Sequence, residues 1–99
     1  MERKLFEWDP EKEKINKKKH GISFDTATKV FNDYNGMVYY DHQHSTQNED
    51  RYKIIGLIDN SPVVIVVIYT KRELLYRIIS ARRATKAEEK RYYASKERN

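Results

Sequence analysis

Arginines concentrate at the end of one short apolar segment. Residues 75–84 read Leu-Tyr-Arg-Ile-Ile-Ser-Ala-Arg-Arg-Ala, so an alternating apolar run contains Arg77 and ends on the pair Arg82 and Arg83. Such alternation is typical of a strand. Each guanidinium offers donors in a planar fork that matches the oxygens of a phosphate. Several arginines delivered to one end of a sheet therefore predict a site for phosphates.

The spacing of Arg77 and Arg82 limits how they can act together. Residues an odd number apart face opposite sides of a regular strand, so both can serve one site only if the strand ends or bends near Ser80. The capping-box pattern from Thr85 to Glu88 predicts that a helix follows and places Arg82 in the junction before it. Arg82 is therefore the leading candidate for an anion contact, and Arg77 is a weaker one.

Two residues near the N-terminus have the chemistry for proton transfer. His20 is a candidate general acid or base because an ordinary histidine titrates at about 6.5. Lys19 beside it could bind a phosphate or, with a lowered pKa, transfer a proton. The alternative for His20 is structural, since it precedes Gly21 and could cap the carbonyl groups of a helix end. The alternative for Lys19 is a solvated side chain.

Other charged pairs in the sequence are less specific. Glu49 and Arg51 could form an orienting ion pair or a plain salt bridge at a sheet edge, and any single arginine could pair with Glu7 or Glu49. His42 and His44 would share one face of a strand, as metal ligands do, but no third and fourth ligands follow at a usable spacing. We therefore expect no metal and no cofactor.

Size and charge favour one domain with a polyanionic partner. The 99 residues predict a single domain over residues 1–99, and 20 lysines and arginines against 15 acidic residues give a net charge of +5. No cysteine is available for disulfides or thiolate metal sites. The N-terminus lacks the apolar stretch of a signal peptide, and the longest apolar run, Val63–Tyr69, is too short to span a bilayer. We expect a cytoplasmic protein without membrane contact.

Three helices are predicted from capping residues and spacing. The first follows the N-cap Asp9 and runs to about His20, with Ile15 as its only clear apolar anchor. Ser23 is expected to cap the second, whose apolar stripe packs on a sheet. The third follows Thr85 and runs to about Lys96. The residues of the apolar stripe are Phe24, Ala27, Val30 and Phe31.

Five strands are predicted around these helices, and the short links between the last four favour antiparallel neighbours. A tight turn over Asp59-Asn60-Ser61 joins two of them. The strand that contains Val63–Tyr69 is apolar without alternation, so we expect it to be central and covered on both faces. The predicted strands are Leu5–Trp8, Met37–His42, Arg51–Asp59, Pro62–Thr70 and Leu74–Ala81.

Five motifs, taken together, resemble the BrnT toxin family and cover nearly the whole chain in order. They are Phe6-Glu7-Trp8-Asp9-Pro10, Asn16 followed by Lys19-His20-Gly21-Ile22-Ser23-Phe24, Glu49 with Arg51, Tyr69-Thr70-Lys71-Arg72, and Arg77-Ile78-Ile79-Ser80-Ala81-Arg82. The resemblance implies an α+β, RelE-like fold: a small twisted antiparallel sheet with two N-terminal helices packed on it and a C-terminal helix. The element order predicted above is compatible with that fold.

The resemblance also implies a function and a partner. Members of this family are ribonuclease toxins of type II toxin-antitoxin systems, so we expect a metal-independent endoribonuclease that inhibits translation and growth. A BrnA-like antitoxin with a ribbon-helix-helix portion would neutralise it, with DNA contacted only through the antitoxin and oligomers formed through the complex. The alternative is a basic module without catalytic activity that holds an antitoxin or nucleic acid.

RNA cleavage without metal uses the 2'-hydroxyl as nucleophile and assigns expected roles to the candidate residues. The protein must help remove the 2'-hydroxyl proton, stabilise charge on the phosphorane and assist the leaving 5'-oxygen. The expected catalytic residues are Arg82, His20, Arg72 and Lys19. The expected RNA-phosphate contacts are Arg77, Arg83, Arg51 and Lys71, with Glu49 as an orienting residue.

Overall fold

A five-stranded mixed sheet forms the centre of the fold. The computed structural model describes residues 4–59 and 61–97. In chain order the elements are β1 (Leu5–Glu7), α1 (Pro10–His20), α2 (Phe24–Ala27), a 3₁₀ turn (Thr28–Asn32), β2 (Met37–Tyr40), β3 (Tyr52–Leu57), β4 (Val64–Arg72), β5 (Leu75–Arg83) and α3 (Lys86–Glu97). Within the described ranges, no helix combines the length and the apolar character needed to cross a membrane.

The strand order in the sheet is β1-β5-β4-β3-β2. The expected antiparallel pairing holds from β2 to β5, and β1 adds a short edge strand that runs parallel to β5. The α+β class predicted from the sequence is thus confirmed. The predicted turn over 59–61 includes Asn60, which lies outside the described residues.

The predicted helix caps are confirmed at both N-terminal helices. The Asp9 carboxylate accepts from the Glu11 N–H at 2.9 Å, and Gly21 ends α1 in the left-handed conformation with φ 74°. The Ser23 hydroxyl accepts from the Thr26 N–H at 3.1 Å and so begins α2. After Ala27 the chain tightens into the 3₁₀ turn, which shortens the predicted second helix.

The last two strands extend farther than predicted. β4 continues to Arg72, because Glu73 adopts φ 55° and closes a tight turn that lets the ladder begin next to it. β5 continues to Arg83, which pairs with Ile65 at the far end of the ladder. Arg82 therefore lies inside β5, paired with Val66, and not in a junction after the strand. This placement corrects the expectation from the sequence.

A β-bulge in β5 contains Ile79. Ile68 pairs with Ser80 and Tyr69 pairs with Ile78, so Ile79 is an extra residue without a partner on β4. An extra residue shifts the alternation of side chains along the bulged strand. This is the bend near Ser80 that a shared role for the two arginines required.

Both sides of the bulge contribute to the same core. Ile78 and Ala81 are three residues apart, yet both belong to the apolar cluster that α2 covers. Arg77 and Arg82 precede and follow these residues and therefore both face the opposite side, where α3 packs.

The central strand β4 supplies alternate side chains to two apolar cores, as its unbroken apolar run predicted. One core lies under α2 and the 3₁₀ turn, and the other lies under α3. The buried members of the first are Phe24, Ala27, Val30, Ile54, Ile65, Val67, Tyr69, Tyr76, Ile78 and Ala81. The buried members of the second are Ile55, Val64, Val66, Ile68 and Tyr92.

The Asp33 carboxylate ties α3 to the sheet. It accepts from the Leu57 N–H at 2.8 Å and from the Tyr92 hydroxyl at 2.6 Å. Burial, together with this carboxylate, raises the pKa of Tyr92, so the phenol remains a donor. A side chain at Gly56 would bring its Cβ within 2.8 Å of the same carboxylate, so this close approach requires glycine.

Asn16, and not Ile15, anchors α1. Ile15 is 65% exposed, whereas Asn16 is 6% exposed. The Asn16 amide donates to the carbonyl of Ala81 at 2.9 Å and accepts from its N–H at 3.1 Å, which pairs the part of β5 that β1 does not reach. A third bond, from Asn16 to the carbonyl of Ile22, secures the end of α1. The expected apolar anchor is therefore wrong, because a polar side chain completes the sheet edge.

The two bonds to Ala81 predict that Asn16→Leu lowers the stability of the fold strongly. The substitution leaves the N–H and carbonyl of Ala81 without their partners, so we expect the free energy of unfolding to fall by about 3 kcal/mol. Lys14→Leu, on an exposed position of the same helix, should change it by less than about 0.5 kcal/mol. Urea denaturation of both variants measures the difference, and equal stabilities would contradict the role of Asn16.

Candidate functional site

Cationic side chains gather on the face of the sheet where α3 packs. We call this the basic face and define it by Lys53, Arg72, Arg77 and Arg82. Lys53 pairs with Ile68 and Arg82 with Val66, both of which are members of the core under α3. Arg77 pairs with Thr70, and continued alternation along β4 places Arg72 on the same face. The bulge thus brings Arg77 and Arg82 to one face.

Arg82 is held by a carboxylate from the first turn of α3. Its guanidinium donates to the two oxygens of Glu88 at 2.8 and 3.0 Å. Glu88 also accepts from the Thr85 N–H at 2.8 Å, and the Thr85 hydroxyl accepts from the Glu88 N–H at 3.2 Å. The predicted capping box is therefore confirmed. The same glutamate caps α3 and binds the arginine.

Both members of this pair are ionised over a wide pH range. The hydrogen bonds from Arg82, opposed in part by burial, lower the pKa of Glu88 to about 2. In return, the hydrogen bond from Glu88 raises the pKa of Arg82. The Glu88 side chain is only 12% exposed and that of Arg82 is 34% exposed, so water screens the pair incompletely. The contact is a partly desolvated two-point ion pair.

A second group of charged side chains lines a small cavity near the start of β5. The cavity has a volume of about 210 Å³ and is bounded by Glu7, Glu49, Thr70, Arg72, Leu75 and Arg77. Arg77 contacts Glu7 at 2.8 Å, and Arg51 contacts Glu49 at 2.8 Å. The ion pairs considered as alternatives from the sequence are thus present. Arg72 forms no salt bridge with any residue of the described ranges.

The two groups occupy separate positions along the sheet. Arg77 pairs with Thr70 and Arg82 with Val66, so four strand steps separate them on β4. At about 3.3 Å per residue, this separation is about 13 Å. The basic face therefore holds two separate charged groups along one strand.

His20 and Arg83 lie away from the basic face. Both line a cavity of about 530 Å³ whose floor includes Ile65 of the core under α2. His20 also lines, with Lys19, a smaller cavity of about 240 Å³ beside Ser80 at the edge of β5. Arg82 lines neither cavity. The structure therefore does not bring the leading arginine and the candidate proton-transfer residues into a common pocket.

Lys71 also faces away from the basic face. Its ammonium lies 5.5 Å from the ring centre of Tyr76, a member of the core under α2.

Of the nine site residues expected from the sequence, Arg72, Arg77 and Glu49 share one cavity, and Arg51 joins them through Glu49.

Sequence reasoning missed Lys53. Its ammonium lies 3.8 Å from Glu88, and its side chain is 26% exposed. The available signal was its position between Tyr52 and Ile54 in β3, where alternation places a lysine on an otherwise covered face. With Arg82, it gives the Glu88 carboxylate two cationic neighbours.

The alternating histidines do not converge as metal ligands. His44 contacts the carboxylate of Asp41 at 2.7 Å, whereas the ring of His42 packs on Tyr40 at 4.6 Å between ring centres. Over residues 4–59 and 61–97, no group of three or more histidine, cysteine or acidic residues could hold a metal ion.

Comparison with known families finds a match over most of the chain. The family model described as ribonuclease toxin, BrnT, of type II toxin-antitoxin system matches residues 8–88. The matched range includes α1, all of β2 to β5, and the glutamate that binds Arg82. No curated protein matches the chain.

The lowered pKa predicts a loss of stability in acid. Folding lowers the pKa of Glu88 from 4.5 to about 2. Its ion pair therefore stabilises the fold fully above pH 4.5, and this stabilisation is lost as the pH falls from 4.5 to about 2. Between about pH 5 and pH 2, wild type should lose about 2 kcal/mol more free energy of unfolding than Glu88→Gln. Glu89→Gln, on the same helix turn, should follow wild type. Denaturant unfolding at each pH measures this, and parallel curves for wild type and Glu88→Gln would refute it.

Proposed function

The chain belongs to the BrnT family, the ribonuclease toxins of type II toxin-antitoxin systems, and we propose that it cleaves RNA on its basic face without a metal ion. Family membership implies an RNA target and an antitoxin partner. The observation that carries the proposed location is the two-point contact of Arg82 with a carboxylate, because the same fork fits two oxygens of a phosphodiester.

In the proposed reaction the 2'-hydroxyl of the RNA attacks the adjacent phosphorus and the bond to the 5'-oxygen breaks, leaving a 2',3'-cyclic phosphate. Arg82 stabilises the negative charge that develops on the phosphorane oxygens. Its incomplete exposure favours this role, since a partly desolvated guanidinium interacts more strongly with developing charge than one in water.

The neighbouring phosphates of the RNA would follow β5. Arg77 and Arg72 form the second anion position, about 13 Å away from Arg82. Arg72 is available for a phosphate at once, because it has no salt bridge within the described residues. Arg51 would contribute from the same end, with Glu49 orienting its guanidinium at 2.8 Å.

Proton transfer is proposed to come from the edge of β5 beyond β1. His20 and Lys19 line the cavity beside Ser80, at the bulge that separates the two anion positions. RNA that crosses this edge would bring a 2'-hydroxyl or a 5'-oxygen toward them. Arg83 and Lys71 face the other side of the sheet and would contact only RNA that continues around the edge.

We further propose a cytoplasmic toxin neutralised by an antitoxin of the BrnA type. Its ribbon-helix-helix portion would supply the DNA contacts of the complex and its oligomeric state. A second candidate function is a binding module without catalytic activity. It is favoured by one observation: Arg51, Arg77 and Arg82 are each already paired with a carboxylate.

A cleavage assay in EDTA separates these functions. We expect the purified protein to cut single-stranded RNA in EDTA and to leave 2',3'-cyclic phosphate ends. Arg82→Ala should reduce the rate at least about 100-fold, the order of loss for a donor that stabilises a developing oxyanion. Lys90→Ala, which removes one exposed positive charge from α3, is the control and should cut normally. Inhibition by EDTA, or normal cleavage by Arg82→Ala, would contradict the proposed mechanism. An inert protein would favour the binding module.

A further inference from the structure

The carboxylate of Glu88 occupies a position that suits a phosphate. Arg82 donates to both of its oxygens, and the ammonium of Lys53 lies 3.8 Å from one of them. Two cations therefore surround one anion on the face where RNA is proposed to bind. A phosphodiester carries a single negative charge and presents two free oxygens, so it matches the carboxylate in charge and in geometry.

We propose that Lys53 and Arg82 together form a binding site for an RNA phosphodiester, and that Glu88 occupies this site in the free protein until the phosphodiester displaces it. The inference rests on the proposed function, because it takes RNA as the ligand of the basic face. It adds Lys53 as a binding residue and gives Glu88 a competing, autoinhibitory role.

The surroundings of Lys53 support an anion there. Its side chain is 26% exposed and pairs across the sheet with Ile68, which is buried in the core under α3. A lysine in such surroundings needs a negatively charged partner to offset its partial desolvation. Among the described residues the acidic group within salt-bridge distance is Glu88, which Arg82 already binds at two points. A phosphodiester would satisfy both cations.

Glu88 can leave this position without unfolding α3. The helix is fixed one turn later, where the Tyr92 hydroxyl donates to Asp33 at 2.6 Å, and the Tyr93 hydroxyl donates to the carbonyl of Pro62 at 3.2 Å. The Thr85 hydroxyl continues to cap the first turn through the Glu88 N–H. Displacement breaks the bond from the Thr85 N–H, which lies at an exposed position, and otherwise requires rotation of one side chain with the helix in place.

Charge-matched substitutions on α3 test the competition. Glu88→Gln and Glu89→Gln each remove one negative charge, but only Glu88 contacts Arg82. The probe is a 2'-O-methyl RNA oligonucleotide, which lacks the nucleophile for cleavage. We expect Glu88→Gln to tighten binding about tenfold, because one charge-assisted competitor is weakened. Glu89→Gln should tighten it less than about twofold, through long-range charge alone.

Lys53→Met tests the second cation. In the wild-type chain and in the Glu88→Gln background, it should weaken binding of the same oligonucleotide about fivefold. It should also lower the slope of log K against log salt by about 0.7, as expected for one lost contact to a single-stranded phosphate. Lys90→Met, on an exposed position of α3, is the matched control and should leave affinity within about twofold.

The outcomes separate this inference from the proposed function. Equal affinities for Glu88→Gln and Glu89→Gln, unchanged binding by Lys53→Met, or no binding of the oligonucleotide by any variant would each overturn it. Cleavage of unmodified RNA is measured separately. If no variant cleaves RNA but Glu88→Gln binds tighter, the ribonuclease mechanism fails and the phosphate site stands. Circular dichroism verifies folding, and if Glu88→Gln unfolds, Lys53→Met in the wild-type chain decides the result.

Discussion

One extra residue in β5 determines which side chains share the basic face. The bulge at Ile79 lets Ile78 and Ala81 enter the same core although they are three residues apart. Arg77 and Arg82 then face α3 together, which a regular strand forbids. The part of β5 that β1 does not reach still needs a hydrogen-bond partner. Asn16 is that partner and bonds to both backbone groups of Ala81. Core packing and the candidate site therefore depend on one local irregularity.

The basic face is neutralised in part by carboxylates of the same chain. Arg82 is matched by Glu88 and Arg77 by Glu7, while Arg72 has no salt bridge within the described residues. These pairs orient the guanidinium groups and offset part of the repulsion among them in a chain of net charge +5. They also compete with any external anion. A ribonuclease built this way would exchange its internal carboxylates for RNA phosphates. Its affinity for RNA would then reflect how much more strongly the cations bind the phosphates than the carboxylates.

Local signals in the sequence predicted local structure well. The caps at Asp9 and Ser23 and the box at Thr85 depend on bonds across two or three residues, and all three formed. Long-range contacts were harder to predict. The sequence favoured Ile15 as the anchor of α1 on hydrophobicity, but the fold uses Asn16, because the need arises from an unpaired edge 65 residues away.

The site was predicted in part for the same reason. The motif singled out Arg82, but its pairing with Val66 inside β5 and its contact with Glu88 required the register of the sheet and the position of α3. Lys53 was missed because it lies on a different strand from the arginine motif, and only strand pairing brings it to that face.

Nuclear magnetic resonance of the side-chain N–H groups, during titration with a 2'-O-methyl RNA trinucleotide, tests RNA binding on the basic face most directly. If RNA binds the basic face, the guanidinium signals of Arg82 and Arg72 and the ammonium signal of Lys53 shift on binding. The guanidinium signal of Arg83, on the opposite face, should change little. Lys17 lines the same cavity as His20 and Arg83. Shifts centred on Arg83 and Lys17, with those of Arg82 unchanged, would contradict the claim that RNA binds the basic face.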